Sequence, residues 1–257
     1  MMAANARQKG TKTAGKRAAR SPGTSRTESG PGLARLGVLG GSFNPIHWGH
    51  LYVARCARQL FGLSRVYFAV ASFPPHKRRE QVIPFTHRYA MASLATSGFA
   101  GFVPSLVELE PPVSSYTIDT LAKLARDCSV TGAAIYFIAG ADSLLDVADW
   151  RRAEDLLLAY NFIFIARPGV ELGETRAALP GPAAARLVDL RGRSMRQMRY
   201  HIRRAEKSEP RLYLLDVSAP DISSSRIRDL VSSGSPFHSL VPARVREYIQ
   251  KLNLYGG

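Results

Sequence analysis

Short apolar segments alternate with longer amphipathic segments from Leu36 almost to the end of the chain. The apolar segments are rich in β-branched and aromatic residues, which is typical of buried strands, whereas the amphipathic segments have the period of about 3.6 residues that is typical of helices. Because the two alternate, we predict a doubly wound, Rossmann-like α/β fold, with a parallel sheet, helices on both of its faces and further helices at the C-terminus. The predicted strands are 36–39, 65–70, 102–107, 134–138, 162–165 and 212–216. The predicted helices are 48–61, 85–97, 117–127, 143–158, 223–232 and 242–252.

Positive charge is concentrated in two parts of the chain. The formal net charge is +15 over 257 residues, yet residues 1–34 hold seven Lys/Arg and one Glu, and residues 186–211 hold nine Lys/Arg and three acidic residues. Residues 1–34 show no apolar periodicity, so we predict a disordered basic extension followed by one folded domain at 35–257. A solubilising tail is its simplest role, and contact with nucleic acid or anionic lipid is the alternative. Residues 186–211 are compatible with a solvated lid, a subunit contact or an attractor for anionic substrates.

The composition argues against several classes of protein. No run approaches the eighteen or so apolar residues of a membrane span, and the N-terminal residues lack the apolar segment of a secretory signal, so we expect a cytoplasmic protein. Cys56 and Cys128 lie in segments that resemble helices and lack metal-ligand spacing, so they are most simply small buried hydrophobic residues. The oligomeric state stays open.

The stretch GVLGGSFNPIHWGH, residues 37–50, joins the first predicted strand to the first predicted helix. Gly40 and Gly41 permit turn conformations that other residues avoid, and they let backbone N–H groups approach an anion closely. His47 and His50, three residues apart, can lie on one helix face and reach a phosphate at the positive end of the helix. Taken alone, histidines at a helix start are more often caps or packing residues. The stretch differs from G-x-G-x-x-G, and no G-x-x-x-x-G-K-[ST] loop occurs, so neither a Rossmann dehydrogenase nor a Walker-type ATPase is supported.

A second motif, DISSSRIRDL, occupies residues 221–230. Three serines that open a helix offer hydroxyl and backbone N–H groups to an anion, and Arg226 and Arg228 lie nearby. Taken alone, this motif is more simply a serine-capped surface helix with solvated arginines.

The two motifs together resemble the H-x-G-H nucleotidyltransferase superfamily. GGSFNPIHWGHL is similar to its G-G-[ST]-F-[DN]-P-x-H-x-G-H-L signature, and ISSSRIR is similar to its I-S-S-[ST]-x-[IV]-[RK]. The stretches PPHK, SSYTIDTL, GADSLLDVADW and ARPG resemble the nicotinate-nucleotide adenylyltransferase family in particular. The resemblance covers about residues 36–250. It implies adenylyl transfer from ATP to nicotinate mononucleotide, which gives nicotinate adenine dinucleotide and pyrophosphate in NAD biosynthesis.

The same resemblance implies roles for individual residues. The catalytic residues it implies are His47, His50, Lys77 and Arg228. Those it implies for ATP binding are Gly40, Gly41, Ser42, Phe43, Gly49, Ile222, Ser223, Ser224 and Ser225. Those it implies around the nicotinate nucleotide are Ser115, Tyr116, Thr117, Asp142, Trp150 and Arg167. An indole face suits stacking on a pyridinium ring, although a core tryptophan between helices is an equally good interpretation of Trp150.

The implied chemistry needs charge and positioning more than proton transfer. A phosphate oxygen with a second pKa of about 6 is mostly ionised at neutral pH, so no general base is required. We therefore expect a direct in-line displacement without a covalent enzyme intermediate. Mg²⁺ is expected to accompany ATP, held mainly by the triphosphate and water and not by a dedicated protein site. The alternatives are transfer to another phosphorylated acceptor such as phosphopantetheine and, from a different class, a basic nucleic-acid-binding protein, against which the segregated charge argues.

Overall fold

The computed structural model describes residues 34–73, 82–166, 176–177, 179–205 and 209–256. Within these residues the chain forms seven strands and nine α-helices. The strands are β1 Leu36–Gly41, β2 Arg65–Val70, β3 Phe102–Ser105, β4 Ile135–Gly140, β5 Asn161–Ala166, β6 Leu187–Asp189 and β7 Leu212–Asp216. The helices are α1 Trp48–Phe61, α2 Phe85–Thr96, α3 Thr117–Asp127, α4 Ser143–Asp146, α5 Ala153–Ala159, α6 Gly181–Ala184, α7 Met195–Ala205, α8 Ser224–Ser232 and α9 Ala243–Lys251. The predicted basic extension lies, apart from Ala34, outside the described residues.

All seven strands pair in parallel in the order β3-β2-β1-β4-β5-β7-β6 within the described part of the chain. The chain starts in the middle of the sheet, adds β2 and β3 on one side, and then returns to place β4 beside β1. The strand order therefore reverses between β1 and β4, and a parallel sheet of this kind opens a crevice at the carboxyl ends of those two strands. The predicted doubly wound α/β fold is confirmed.

Two hydrophobic clusters cover the two faces of the sheet. Successive strand residues point to opposite faces, so Val38 belongs to one cluster and its neighbour Leu39 to the other. Helices α1, α2, α7, α8 and α9 contribute to the cluster that contains Leu39. Helices α3, α4, α5 and α6 contribute to the cluster that contains Val38. Because helices cover both faces, β5 is buried at all six residues, and β1 and β4 are buried at their first four.

The largest error of the sequence prediction concerns the single helix at 143–158. The structure divides this segment into α4, a 3₁₀ turn at Val147–Asp149 and α5. Between them Trp150 is extended and Arg152 has a left-handed backbone with φ 53°. The amphipathic pattern is present on both sides of the break, but the Trp150 ring packs against Phe137 and Phe162, a tertiary contact that periodicity does not reveal.

Smaller differences have local causes. Strand β6 was not predicted, because three residues at the sheet edge are too short to give a periodic signal. The predicted third strand ran to 107, whereas β3 ends at Ser105 and a turn follows. Cys56 is buried in α1 as expected, while Cys128 is only partly buried beside the Tyr67 hydroxyl. None of the helices in the described residues has the length and apolar character needed to cross a membrane. The cytoplasmic location stays a prediction.

Candidate active site

The first motif forms the end of β1, a tight loop and the start of α1. Gly40 and Gly41 are the last residues of β1, and a Cβ at either position would lie 3.1–3.2 Å from the ring of Phe137 or Phe43. Phe43 itself has a left-handed backbone with φ 46° and is almost completely buried. The glycines are thus required by aromatic rings packed beneath the loop, in addition to any close approach of a ligand.

The two histidines form a stacked pair at the N-terminus of α1. His47 is the N-cap, 4% exposed, and its backbone N–H donates to Nδ1 of His50 at 3.2 Å. The ring centroids lie 3.7 Å apart, and the Phe43 ring packs edge-on against His50 at 5.1 Å. Because Nδ1 of His50 accepts a hydrogen bond, its proton resides on Nε2, which makes Nε2 a donor. The two histidines that cap the start of α1 are therefore the same two that are predicted for the phosphate site.

A cavity of about 220 Å³ opens beside this pair, at the carboxyl ends of β1 and β4. It occupies the point where the strand order reverses, as expected for a doubly wound sheet. Six of the predicted site residues line it: Gly40, His47, Gly49, His50, Asp142 and Ile222. We call it the histidine cavity. Gly49 has a steric reason to be glycine, since a Cβ there would lie 3.0 Å from the His47 ring.

The second motif binds the loop of the first. Ser223 is the N-cap of α8, and its Oγ accepts from the N–H of Arg226 at 3.2 Å. Ser224 Oγ donates to the Pro45 carbonyl at 2.9 Å. Arg228 donates from Nη1 to the Asn44 carbonyl at 2.9 Å and from Nη2 to the hydroxyl of Ser225 at 3.4 Å. Ile222 lines the histidine cavity, while Ser224 and Arg228 bind the backbone of residues 44–45 and Ser223 and Ser225 make contacts within the second motif.

A second cavity, of about 540 Å³, lies next to the histidine cavity and shares Ser143 with it. Four predicted nicotinate-nucleotide residues line it: Ser115, Tyr116, Thr117 and Trp150. We call it the tryptophan cavity. Trp150 packs against Phe137 with ring centroids 6.0 Å apart, as a core tryptophan would, and it also lines the cavity. Its stacking on a pyridine ring stays a prediction. The guanidinium of Arg151 covers the Tyr116 ring at 4.6 Å.

Of three further predicted site residues, one lines a different cavity from the one expected and two lie outside the described residues. Asp142 was expected near the nicotinate nucleotide, but the structure places it on the wall of the histidine cavity. Lys77 and Arg167 lie outside the described residues.

Sequence reasoning missed three polar side chains, two of them buried and one partly buried, that hold the loops of the site. Arg88, 2% exposed, donates to the carbonyls of Ser42, Ala71, Ser72 and Ile83. Glu108 accepts from the N–H of Ser72 at 2.9 Å, and the Tyr255 hydroxyl donates to Asn44 Oδ1 at 2.9 Å. For Arg88 and Glu108 the available signal was a charged residue among apolar neighbours, which by itself does not name a partner.

Burial perturbs the titration of all three groups. It lowers the pKa of Arg88 and raises the pKa of Tyr255. Burial also raises the pKa of Glu108, although hydrogen bonds from Ser72, Ser115 and Thr120 favour its charged form.

Comparisons with known proteins agree with this architecture. A family model described as cytidylyltransferase-like matches residues 38–230. A protein of Pelobacter propionicus named as a probable nicotinate-nucleotide adenylyltransferase is 37% identical over 224 residues, which cover 86% of this chain and 98% of the relative. A similarly named protein of Geobacter metallireducens is 38% identical over the same share of each chain. The solved structure of Plasmodium falciparum nicotinic acid mononucleotide adenylyltransferase complexed with NaAD has a TM-score of 0.62 at 20% identity and covers 86% of this chain and 97% of that chain.

Proposed function

Because this chain belongs to the nicotinate-nucleotide adenylyltransferases, within the cytidylyltransferase-like family, we propose that it transfers the adenylyl group of ATP to nicotinate mononucleotide. The products are nicotinate adenine dinucleotide and pyrophosphate. The observation that carries the assignment is the pair of cavities that share Ser143, one built around two histidines at a helix N-terminus and the other around a tryptophan.

The histidine cavity suits the phosphates of ATP. The N-terminus of α1 carries partial positive charge, and His47 and His50 add ring N–H groups at the same end of the helix. Because Nδ1 of His50 accepts from the backbone N–H of His47, the proton of the neutral His50 ring resides on Nε2. Arg228 and Ser224 hold residues 44–45 of the loop, so they contribute by fixing its shape.

The reaction is a direct in-line displacement. A phosphate oxygen of nicotinate mononucleotide attacks the α-phosphorus, the bond from that phosphorus to the oxygen bridging it to the β-phosphate breaks, and pyrophosphate leaves with the electron pair. The nucleophile is already ionised, so His47 and His50 act as hydrogen-bond donors to the phosphates and not as bases. The protein's main contribution is to align the two phosphates.

The residues of the histidine cavity fit a Mg²⁺ ion that arrives with ATP. Mg²⁺ commonly takes one or two carboxylates together with substrate phosphates and water. Asp142 supplies one carboxylate, and among the described residues no group of three or more His, Cys, Asp or Glu side chains is placed to hold a metal ion. Asp142 is the residue that would hold the ion, which would neutralise charge on the departing pyrophosphate.

The tryptophan cavity suits the acceptor. Trp150 offers an aromatic face, and its other contacts with Phe137 and Phe162 keep the indole in place. The preference for the acid over the amide rests on the relatives, because the cavity wall carries both Arg151 and the carboxylates of Asp146 and Asp149.

One acceptor panel tests the function. Pyrophosphate release from ATP is measured with nicotinate mononucleotide, nicotinamide mononucleotide and phosphopantetheine in turn. We expect kcat/KM for the nicotinate nucleotide to exceed that for the amide by roughly tenfold or more, as the names of the relatives imply, and expect no turnover of phosphopantetheine, which has no aromatic ring to place against Trp150. Preferred turnover of phosphopantetheine would assign the chain to the alternative reaction.

A further inference from the structure

Ser72 connects the loops on the two sides of the candidate active site. It follows β2 at the carboxyl end of the sheet and is 7% exposed. Its N–H donates to Glu108 Oε2 at 2.9 Å, its carbonyl accepts from Arg88 Nη2 at 3.4 Å, and its hydroxyl lies 2.7 Å from Ser115 Oγ. All three polar groups of one residue are therefore engaged by three different segments of the chain.

On the ATP side, the connection runs through Arg88. Its Nη1 donates to the carbonyls of Ser42 at 2.9 Å and Ala71 at 2.7 Å, and its Nε donates to Ile83 at 3.1 Å. Ser42 belongs to the loop after β1 that precedes the histidine pair. A buried guanidinium keeps several donors in one fixed plane, so it sets the position of this loop relative to the end of β2.

On the acceptor side, the connection runs through Glu108 and Ser115. Glu108 Oε1 accepts from the Thr120 hydroxyl at 3.5 Å, which ties the turn after β3 to helix α3. Ser115 Oγ accepts from the N–H of Phe73 at 3.0 Å, and Ser115 directly precedes two residues that line the tryptophan cavity. The segment 113–117 is thereby attached to the carboxyl end of β2, where Arg88 also donates to the carbonyls of Ala71 and Ser72.

We propose that Arg88 and Glu108 are positioning residues that act through Ser72 to fix the distance between the ATP loop and the acceptor loop. The inference rests on the proposed function, in which two phosphates must meet in line. A misplacement of about 1 Å in such a reaction costs on the order of 100-fold in rate, so a rigid connection between the two loops has catalytic value. Neither side chain lines the histidine cavity or the tryptophan cavity.

The chain contains a matched control at the opposite end of the sheet. Asn161, at the start of β5, is also buried and also bridges segments, since Nδ2 donates to the carbonyls of Ala133 at 2.8 Å and Ile135 at 3.3 Å and Oδ1 accepts from the N–H of Arg211 at 2.9 Å. Loss of this side chain costs stability by the same mechanism but leaves the site loops untouched.

The test compares binding of the dinucleotide with binding of its two halves. Nicotinate adenine dinucleotide spans both loops, whereas ATP and nicotinate mononucleotide each use one side, so only the dinucleotide senses the distance between them. Calorimetry on the full chain measures all three Kd values for the natural protein, Ser72→Ala, Arg88→Lys and Asn161→Ala, with Tm recorded for each. We expect Ser72→Ala and Arg88→Lys to raise the dinucleotide Kd about tenfold and to lower kcat by at least as much. The Kd values for the separate halves should change less than about threefold, because each loop keeps its own contacts.

The control variant and the possible outcomes distinguish a failure of this inference from a failure of the proposed function. Asn161→Ala should lower Tm yet leave all three Kd values within about twofold of the natural protein. If Arg88→Lys does not fold, Glu108→Gln is measured in its place with the same expected rise in the dinucleotide Kd, since it keeps the size of the side chain but weakens the acceptor of the Ser72 N–H. Ser72→Ala leaves both backbone contacts of Ser72 intact and tests only its hydroxyl contact with Ser115. An unchanged dinucleotide Kd in the folded variants, or equal losses for the dinucleotide and both halves, would overturn the inference. If the natural protein neither binds nor forms the dinucleotide, the proposed function itself fails.

Discussion

At the residue scale, the structural contacts of His50 bear directly on the catalytic role that we propose for it. Its Nδ1 accepts from the backbone of His47 at the first turn of α1, and its ring is held between Phe43 and His47. These contacts leave little rotational freedom and direct the proton to Nε2. A donor that is already oriented costs no reorganisation when charge develops on a phosphate.

We predict that His50→Ala lowers kcat by about 100-fold or more, the usual effect of losing one donor to a transition state, with a smaller change in KM for ATP. The control is His87→Ala, because His87 contacts Tyr248 through Nδ1 at 3.0 Å between α2 and α9, away from the cavities. Steady-state kinetics and Tm of both variants check this. Turnover of His50→Ala close to that of His87→Ala would remove His50 from the catalytic machinery.

At the element scale, the loop between β1 and α1 is held by segments from the far end of the chain. Helix α8 contributes Ser224 and Arg228, and the segment after α9 contributes Tyr255, whose hydroxyl reaches the Asn44 side chain. Asn44 is thus bound at its carbonyl and at its Oδ1. The C-terminal elements complete the site by shaping a loop that lies about two hundred residues earlier.

We predict that Tyr255→Phe lowers kcat/KM for ATP by roughly three- to tenfold and stability by about 1 kcal/mol, since a buried acceptor loses its donor. Tyr248→Phe is the matched control, because it also loses one tyrosine hydroxyl contact, to His87, but does not touch the loop. Urea unfolding and ATP kinetics are measured for both. The prediction is wrong if the two variants lose stability and activity alike.

At the scale of the whole molecule, the excess positive charge is divided between the N-terminal extension and helix α7. On α7, Met198 and Ile202 pack into the core while Arg196, Arg199 and Arg203 are exposed. This helix is therefore part of the folded body, and its arginines form a basic outer surface. The family match starts at residue 38, so residues 1–34 lie outside it.

We predict that deletion of residues 1–34 leaves kcat/KM for both substrates within about twofold, because every described residue that lines the two cavities lies in the remaining chain. Any RNA binding of the truncated protein should be weak, with a Kd of roughly 10⁻⁴–10⁻⁶ M that rises steeply with salt, as expected for non-specific contact with arginines. Filter binding at two salt concentrations and the pyrophosphate assay measure this. Tight RNA binding without adenylyl transfer after the deletion would favour the nucleic-acid-binding alternative.

The predictable parts of the site are those whose residues come from one contiguous stretch of the sequence. Gly40, His47, Gly49 and His50 come from a single run and line one cavity. The position of Asp142 was not predictable in the same way, because it depends on β4 lying beside β1 and not on neighbours in the chain.

The sequence by itself determined the alternation of strands and helices, the doubly wound fold and the two motifs of the family, because each depends on periodicity or on residue types within a short window. Only the tertiary structure decided the break at Trp150, the edge strand β6 and the buried contacts of Arg88, Glu108 and Tyr255. The physical reason is distance along the chain: Tyr255 and Asn44 are 211 residues apart, and Arg228 and Asn44 are 184 apart. Hydrogen bonds between such residues are defined by how the sheet and its helices pack, which no local pattern specifies.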